Sequence, residues 1–187
     1  MSDSKIYLGN NLLDGKQYGV EGGFVLIDNE KYYQIQHYHE MPDFFMSIVS
    51  DSDHWMFISS NGSLSAGRKD RNNALFPYYT DDKIHDFKEK TGSFTSCLVH
   101  IDSKSYLWSP FTDQSRSAYS ISRNLYKSIY GNKIIFEEEN IDLGLTFRYG
   151  WYNSEEFGFV KKSTIINQND FAIEVEVLDG IRNILPY

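Results

Sequence analysis

The sequence predicts an all-β fold, an antiparallel sandwich of two sheets with at most one or two short helices. Three observations predict it. Polar and apolar residues alternate with a period of two over successive runs, as a half-buried strand requires. Clusters of Asn, Asp, Gly and Ser separate those runs at the spacing of hairpin turns. Aromatic residues make up 16% of the 187, with 14 Tyr and 13 Phe, and such side chains favour extended, half-buried strands.

Taken in order, residues 1–21 are polar and Gly/Asn-rich and read as an irregular lead-in. Phe24 to Ile27 is a strand, Asp28-Asn29-Glu30 a turn, and Lys31 to His39 a second strand with Tyr33, Ile35, His37 and His39 on one face. Met41-Pro42-Asp43 breaks it, and Phe44 to Val49 forms the next. Trp55 to Ile58 then leads to Asn61-Gly62, the dipeptide that best supplies the positive φ angles of a tight hairpin. The return strand, Ser63 to Arg68, is small and polar, which leaves room for another layer or a ligand to approach the sheet.

Between Asp81 and Gly92 lies the one stretch where a short helix fits, with Ile84 and Phe87 three apart. Phe94 to Ile101 is a strand with Phe94, Ser96, Leu98 and His100 on one side, and Ser105 to Trp108 pairs back until Pro110. Five longer alternating runs follow, near Ala118 to Ile129, Lys133 to Glu139, Leu143 to Tyr152, Phe157 to Asn167 and Phe171 to Leu178. No linker or internal repeat divides the chain, so one domain spanning 1–187 is expected. Its last residues are apolar, and the sequence reads as the first domain of a longer protein.

Composition narrows the partners. A net charge of −8 with no basic block argues against nucleic acid. Cys97 is the single cysteine, so no internal disulfide forms, and no run reaches the length of a membrane span. A cytoplasmic location is the expectation.

Catalytic motifs are sparse. There is no phosphate-cradling Gly-rich loop, no Gly-x-Ser-x-Gly elbow and no His-Glu-x-x-His. The carboxylate pairs Asp51/Asp53, Asp81/Asp82 and Glu137/Glu138/Glu139 are sequence neighbours, whereas a glycosidase needs two carboxylates about 5–10 Å apart across a cleft. His37 and His39 are two ligands at most, and no complementary histidine spacing completes a metal site. Cys97, between Ser96 and Leu98, reads as a buried small residue. Neither a cofactor nor a metal is expected.

Several pieces, in order, resemble one family. They are Trp55 to Arg68 with its Ser-Asn-Gly hairpin, Leu75-Phe-Pro-Tyr-Tyr79, Tyr106-Leu-Trp-Ser-Pro110, Gly158 to Asn167, and the closing Val177 to Pro186. Together they resemble the amino-terminal domain of glycoside phosphorylases of the cellobiose phosphorylase type, from about Gly22 onward. The polar entry and the stretch Phe76 to Lys83 depart from the better-known members. The resemblance implies a super-sandwich related to galactose mutarotase. It also implies that the general acid and the phosphate site belong to a separate helical barrel domain. In the resembling enzymes this domain lies at the subunit interface, near the partner's active site.

The resemblance therefore implies a non-catalytic, carbohydrate-binding-like β-sandwich domain that supports a catalytic barrel and dimerisation. Its partners would be carbohydrate, a downstream catalytic domain of the same chain and a second copy. Sugar rings stack on aromatic faces while their hydroxyls seek charged groups. Trp55 and Trp151 sit inside alternating strands and read as packing. The expected ligand or interface contacts are Arg68, Tyr78, Tyr79, Asp81, Asp82, Lys83 and Trp108. Two other readings remain. One is a free-standing carbohydrate-binding module. The other is a mutarotase-type enzyme pairing His37, His39 or His100 with Glu174 or Glu176 as acid and base.

Overall fold

Fourteen strands and a single α-helix make up the regular structure of the described residues, with three 3-10 turns between them. The fold comes from a computed structural model that describes residues 6–8, 11–13, 19–78, 80 and 82–185. In chain order the strands begin with β1 (Ile6–Leu8), β2 (Asn11–Leu13), β3 (Glu21–Ile27), β4 (Glu30–Gln36) and β5 (Phe45–Ile48). Then come β6 (His54–Ser59), β7 (Leu64–Arg68), β8 (Gly92–Ile101) and β9 (Lys104–Trp108). After α1 (Asp113–Ala118) the chain runs through β10 (Ile121–Ser128), β11 (Lys133–Asn140), β12 (Leu145–Ser154), β13 (Gly158–Asn167) and β14 (Glu174–Arg182).

All pairings are antiparallel, and the fold is all-β and sandwich-like. A six-stranded sheet has the order β13-β12-β11-β10-β4-β3. Two three-stranded sheets, β5-β6-β7 and β14-β8-β9, contribute to the same hydrophobic core. That core joins Met46, Met56, Ile58 and Leu64 to Cys97, Val99 and Trp108, and both sets to Leu125, Ile134, Phe136, Phe147 and Trp151. Strand period explains the sorting. Ile134 and Phe136 of β11 point into this core, whereas Ile135 packs on the other face with Tyr32 and Tyr126.

The hairpin chemistry divides in two. Asp28 and Asn29 both have positive φ (50° and 64°), as do Asp102 and Ser103 (49° and 63°). Each pair makes the two-residue turn whose twist matches that of its flanking strands. Asn61-Gly62 does not. Only Gly62 is left-handed (φ 90°), and Gly62 N–H donates to Ser59 O while Ser59 N–H donates to Ser63 O. The loop is thus three residues closed by a glycine bulge.

Four other expectations need correction. The lead-in holds the two-stranded ribbon β1-β2, and β3 begins at Glu21. β4 ends at Gln36: His37 turns left-handed (φ 53°), and Tyr38–Glu40 is a 3-10 turn, so His37 and His39 do not share a strand face. Pro42, which cannot donate to a ladder, follows directly. The stretch 81–92 holds a 3-10 turn at Ile84–Phe87, and the only α-helix among the described residues is α1, in a stretch with no apolar stripe. Thr112 caps it by accepting from Ser115 N–H. The last strand starts at Glu174, not Phe171, and runs on to Arg182.

Gly67 shows why β7 is built of small residues. A Cβ there would lie 2.6 Å from the Trp55 ring, 2.7 Å from Asn73 O and 2.8 Å from Ala74 Cα. The following loop folds back on β7 at that point: Leu75 N–H donates to Ala66 O, and Gly67 bridges Ala74. Gly67→Ala should lower unfolding free energy by about 1–3 kcal/mol through overpacking. Gly23→Ala, with nothing within 4 Å of the added methyl, should leave it nearly unchanged. Urea denaturation of the two variants checks this, and equal effects would contradict it.

Candidate functional site

A cleft of about 510 Å³ opens where the β6–β7 turn, the start of β8 and the β9–α1 turn meet. Asn61 and Gly62 form one wall, Thr91 and Ser93 to Ser96 another, and Ser109 to Gln114 a third; Tyr149 and Arg182 complete it. Close packing fixes the walls. A Cβ on Gly92 (φ 89°) would meet Gly62 O at 2.5 Å, so the hairpin turn sits directly on the start of β8. Asn61 Nδ2 donates to Asp43 Oδ2 (2.8 Å) and His85 O (3.0 Å), and Ser63 Oγ donates to Ile84 O (2.5 Å). These bonds tie the turn to the segment that precedes β8.

The third wall hangs from one buried carboxylate. Glu138 is fully buried and accepts from Trp108 Nε1 (2.8 Å), Phe111 N–H (2.7 Å) and Arg123 Nε (2.7 Å). Arg123 also donates to Thr112 O (2.9 Å). Direct register pairing of Arg123 with Glu138 on β10 and β11 brings the two charges together inside the core. Phe111 takes a left-handed backbone (φ 67°), costly for a bulky residue and sustained here by its bond to Glu138. Its ring meets Tyr149 edge-on at 5.2 Å, and Tyr149 stacks on Phe136 at 4.9 Å.

Beside the cleft lies a smaller chamber of about 80 Å³, which shares with it the walls Asn61, Phe111, Asp113 and Tyr149. Tyr38, His39, Lys88, Arg116 and Arg123 also line it. The His39 side chain is 6% exposed, and its Nδ1 has no hydrogen-bond partner among the described residues. Burial, helped by the charges of Arg123 and Arg116, lowers its pKa to about 4 from an ordinary 6.5. The imidazole is therefore neutral at pH 7.

The sequence-derived contacts lie elsewhere. Arg68 is exposed at the end of β7, and Tyr78 sets its ring edge-on to Trp55 at 5.8 Å. Asp82 and Lys83 are exposed, with the Asp82 carboxyl held below its usual range by the Thr80 hydroxyl. Tyr79 and Asp81 lie outside the described residues. Trp108 is corrected: it is 0% exposed and bonded to Glu138, so its ring cannot stack on a ligand. None of Arg68, Tyr78, Asp82, Lys83 and Trp108 lines the cleft.

Of the acid–base pairs considered, the fold brings together His100 and Glu176. His100 Nε2 lies 3.0 Å from Glu176 Oε1, and Nδ1 lies 3.0 Å from Ser105 Oγ. The Glu176 side chain is 69% exposed, and the group sits on the outward face of the β14-β8-β9 sheet, away from the cleft lining. Cys97 is buried, which pushes its thiol up to about 11. Among the described residues no three His, Cys, Asp or Glu side chains converge on a metal-sized site. No described helix is long and apolar enough to cross a membrane.

The fold and cleft define the class, an all-β sandwich-like protein with a polar cleft. No family of known proteins matches the sequence, and no curated protein matches it.

Sequence reasoning missed the cleft residues Phe94, Phe111, Tyr149 and Arg182 and their support, Arg123 and Glu138. The last two carried a signal. Arg123 shares its strand face with Leu125, and Glu138 shares its face with Ile134 and Phe136, so both charges stand where the period calls for apolar residues.

Two outcomes follow. Glu138→Gln leaves Arg123 buried without its counter-charge and should cost about 3–5 kcal/mol, whereas breaking the exposed Lys88–Asp113 pair with Lys88→Ala should cost less than about 1 kcal/mol. Urea unfolding of both variants at pH 7 decides the comparison. His39 supplies a pH dependence. Between pH 6.5 and 4 the unfolded chain takes up a proton that the folded imidazole refuses. Stability due to His39 is therefore full above pH 6.5 and is lost as pH falls to about 4, by about 3 kcal/mol in all. His39→Gln should flatten that part of the stability–pH curve; an unchanged curve contradicts the assignment.

Proposed function

We propose that this chain is a non-catalytic, carbohydrate-binding-like β-sandwich domain of a glycoside phosphorylase-like or hydrolase-like enzyme. In that setting it supports the catalytic domain and the dimer. The observation that carries the carbohydrate reading is the cleft: its volume of about 510 Å³ falls in the range of small-ligand sites. Its walls alternate hydroxyl and amide groups (Thr95, Ser96, Ser109, Gln114) with the rings of Phe94, Phe111 and Tyr149. That mixture suits a ring with apolar C–H faces and a rim of hydroxyls. Arg182, over the Phe94 ring at 4.9 Å and bonded to Glu89 O, places a fixed donor fork at the rim.

The supporting role rests on surface chemistry. Phe157, Val177, Leu178 and Ile184, on or beside the last two strands, are 49–71% exposed, the kind of surface a neighbouring domain covers.

Titration of the purified chain with cellobiose, followed by amide chemical shifts, tests the carbohydrate reading. Shifts should concentrate at Phe94, Ser96, Phe111 and Arg182, and Arg182→Ala should weaken binding about tenfold. Shifts confined to Arg68, Tyr78 and Lys83, or none at all, would reject the cleft as the sugar site.

A further inference from the structure

The geometry points to the chamber beside the cleft as a subsite for one neutral hydroxymethyl group of the bound sugar, read by His39, Tyr38 and Tyr149. The inference rests on the carbohydrate reading of the cleft and adds to it the substituent that the protein selects.

Three polar side chains, those of Tyr38, His39 and Tyr149, line the chamber. Tyr38 and Tyr149 are 6% and 4% exposed, and neither hydroxyl has a hydrogen-bond partner among the described residues. The Nδ1 of His39, buried in the same wall, also has none. A buried imidazole nitrogen ordinarily finds a partner, so the unpaired Nδ1 of His39, in a wall shared with two phenols, marks a place for a polar group.

The chemistry of the wall selects that group. At neutral pH His39 lacks the ring proton that a second positive charge would bring, so Nδ1 can accept, while the phenols can donate as well as accept. A hydroxyl does both. The cations of the lining are each paired, Lys88 with Asp113 (2.7 Å), Arg116 with Glu40 (3.0 Å) and Arg123 with Glu138 (2.7 Å), and the lining carboxylate of Asp43 accepts from the neutral Asn61 amide (2.8 Å). A carboxylate or phosphate would enter with no unpaired cation of the lining left to meet it. The size also fits. About 80 Å³ is room for two or three waters at about 30 Å³ each, or for one CH₂OH group, but not for a sugar ring. A hydroxymethyl group is the part of a hexopyranose that projects beyond the ring, and the chamber adjoins the cleft at Phe111 and Tyr149, which line both.

Glucose and xylose test this, because xylose is the same ring without the hydroxymethyl group. Wild-type protein should bind glucose about tenfold more tightly than xylose, one well-placed hydrogen-bonding group being worth about that factor. The His39 imidazole ¹⁵N signals should move with glucose and not with xylose. Tyr149→Phe, which removes a hydroxyl without opening a cavity, and His39→Leu should each bring the ratio near twofold by weakening glucose more than xylose. An unchanged far-UV circular dichroism spectrum certifies the fold of each variant. Equal binding of the two sugars, still His39 signals, or a preference that survives both substitutions overturns the subsite and leaves the cleft as a sugar site. Failure of both sugars to shift any cleft resonance overturns the carbohydrate reading, and the subsite with it.

Discussion

The buried carboxylate of Glu138 is the constraint around which this molecule is arranged. An ionised group in an apolar core is tolerated only when its lone pairs are met, and three donors from separate elements meet these. Arg123 comes from the neighbouring strand, the Trp108 indole from the opposing sheet, and the Phe111 amide from the turn between β9 and α1. Satisfying one carboxylate therefore fixes the separation of two layers and the path of a loop. The Phe111 backbone is held left-handed by the same bond, and its ring is thereby laid against Tyr149 at the base of the cleft.

Glu137, one residue earlier, shows the same principle on the opposite face. It accepts from Tyr126 Oη (2.6 Å), Asn124 Nδ2 (3.0 Å) and the Arg148 guanidinium, and its carboxyl is held below the usual range by these donors despite burial. Consecutive glutamates thus serve two different networks because strand side chains alternate. One face supports the cleft. The other ties β10, β11 and β12 together across the outer surface of the six-stranded sheet.

Polar groups around the cleft are unequally satisfied, and the difference separates the scaffold from the proposed recognition surface. Around Glu138 every charge has a partner at hydrogen-bond distance. At the chamber, the buried Nδ1 of His39 does not. The matched set holds the walls in place, and the unmatched nitrogen gives those walls something to recognise.

By itself the sequence determined the local structure. Alternation places the strands from β3 onward, the Asp28-Asn29 turn lands where its residue types allow positive φ, and Cys97 is buried as its place in an alternating run implies. These features depend on neighbours in the chain, so the chain records them. Tertiary structure decided the rest. Loop aromatics and charges at 68–83 are conspicuous in sequence, yet the cleft forms from ordinary residues of five distant segments. Trp108 read as a ring for a ligand and became a donor to Glu138, because only the packing of β9 over β11 reveals what faces it. His39 read as a strand residue and became a buried, neutral acceptor, because the turn after Gln36 and the walls around it come from separate parts of the chain. Burial and partnership are properties of elements meeting across the core, and period and spacing carry no record of which elements will meet.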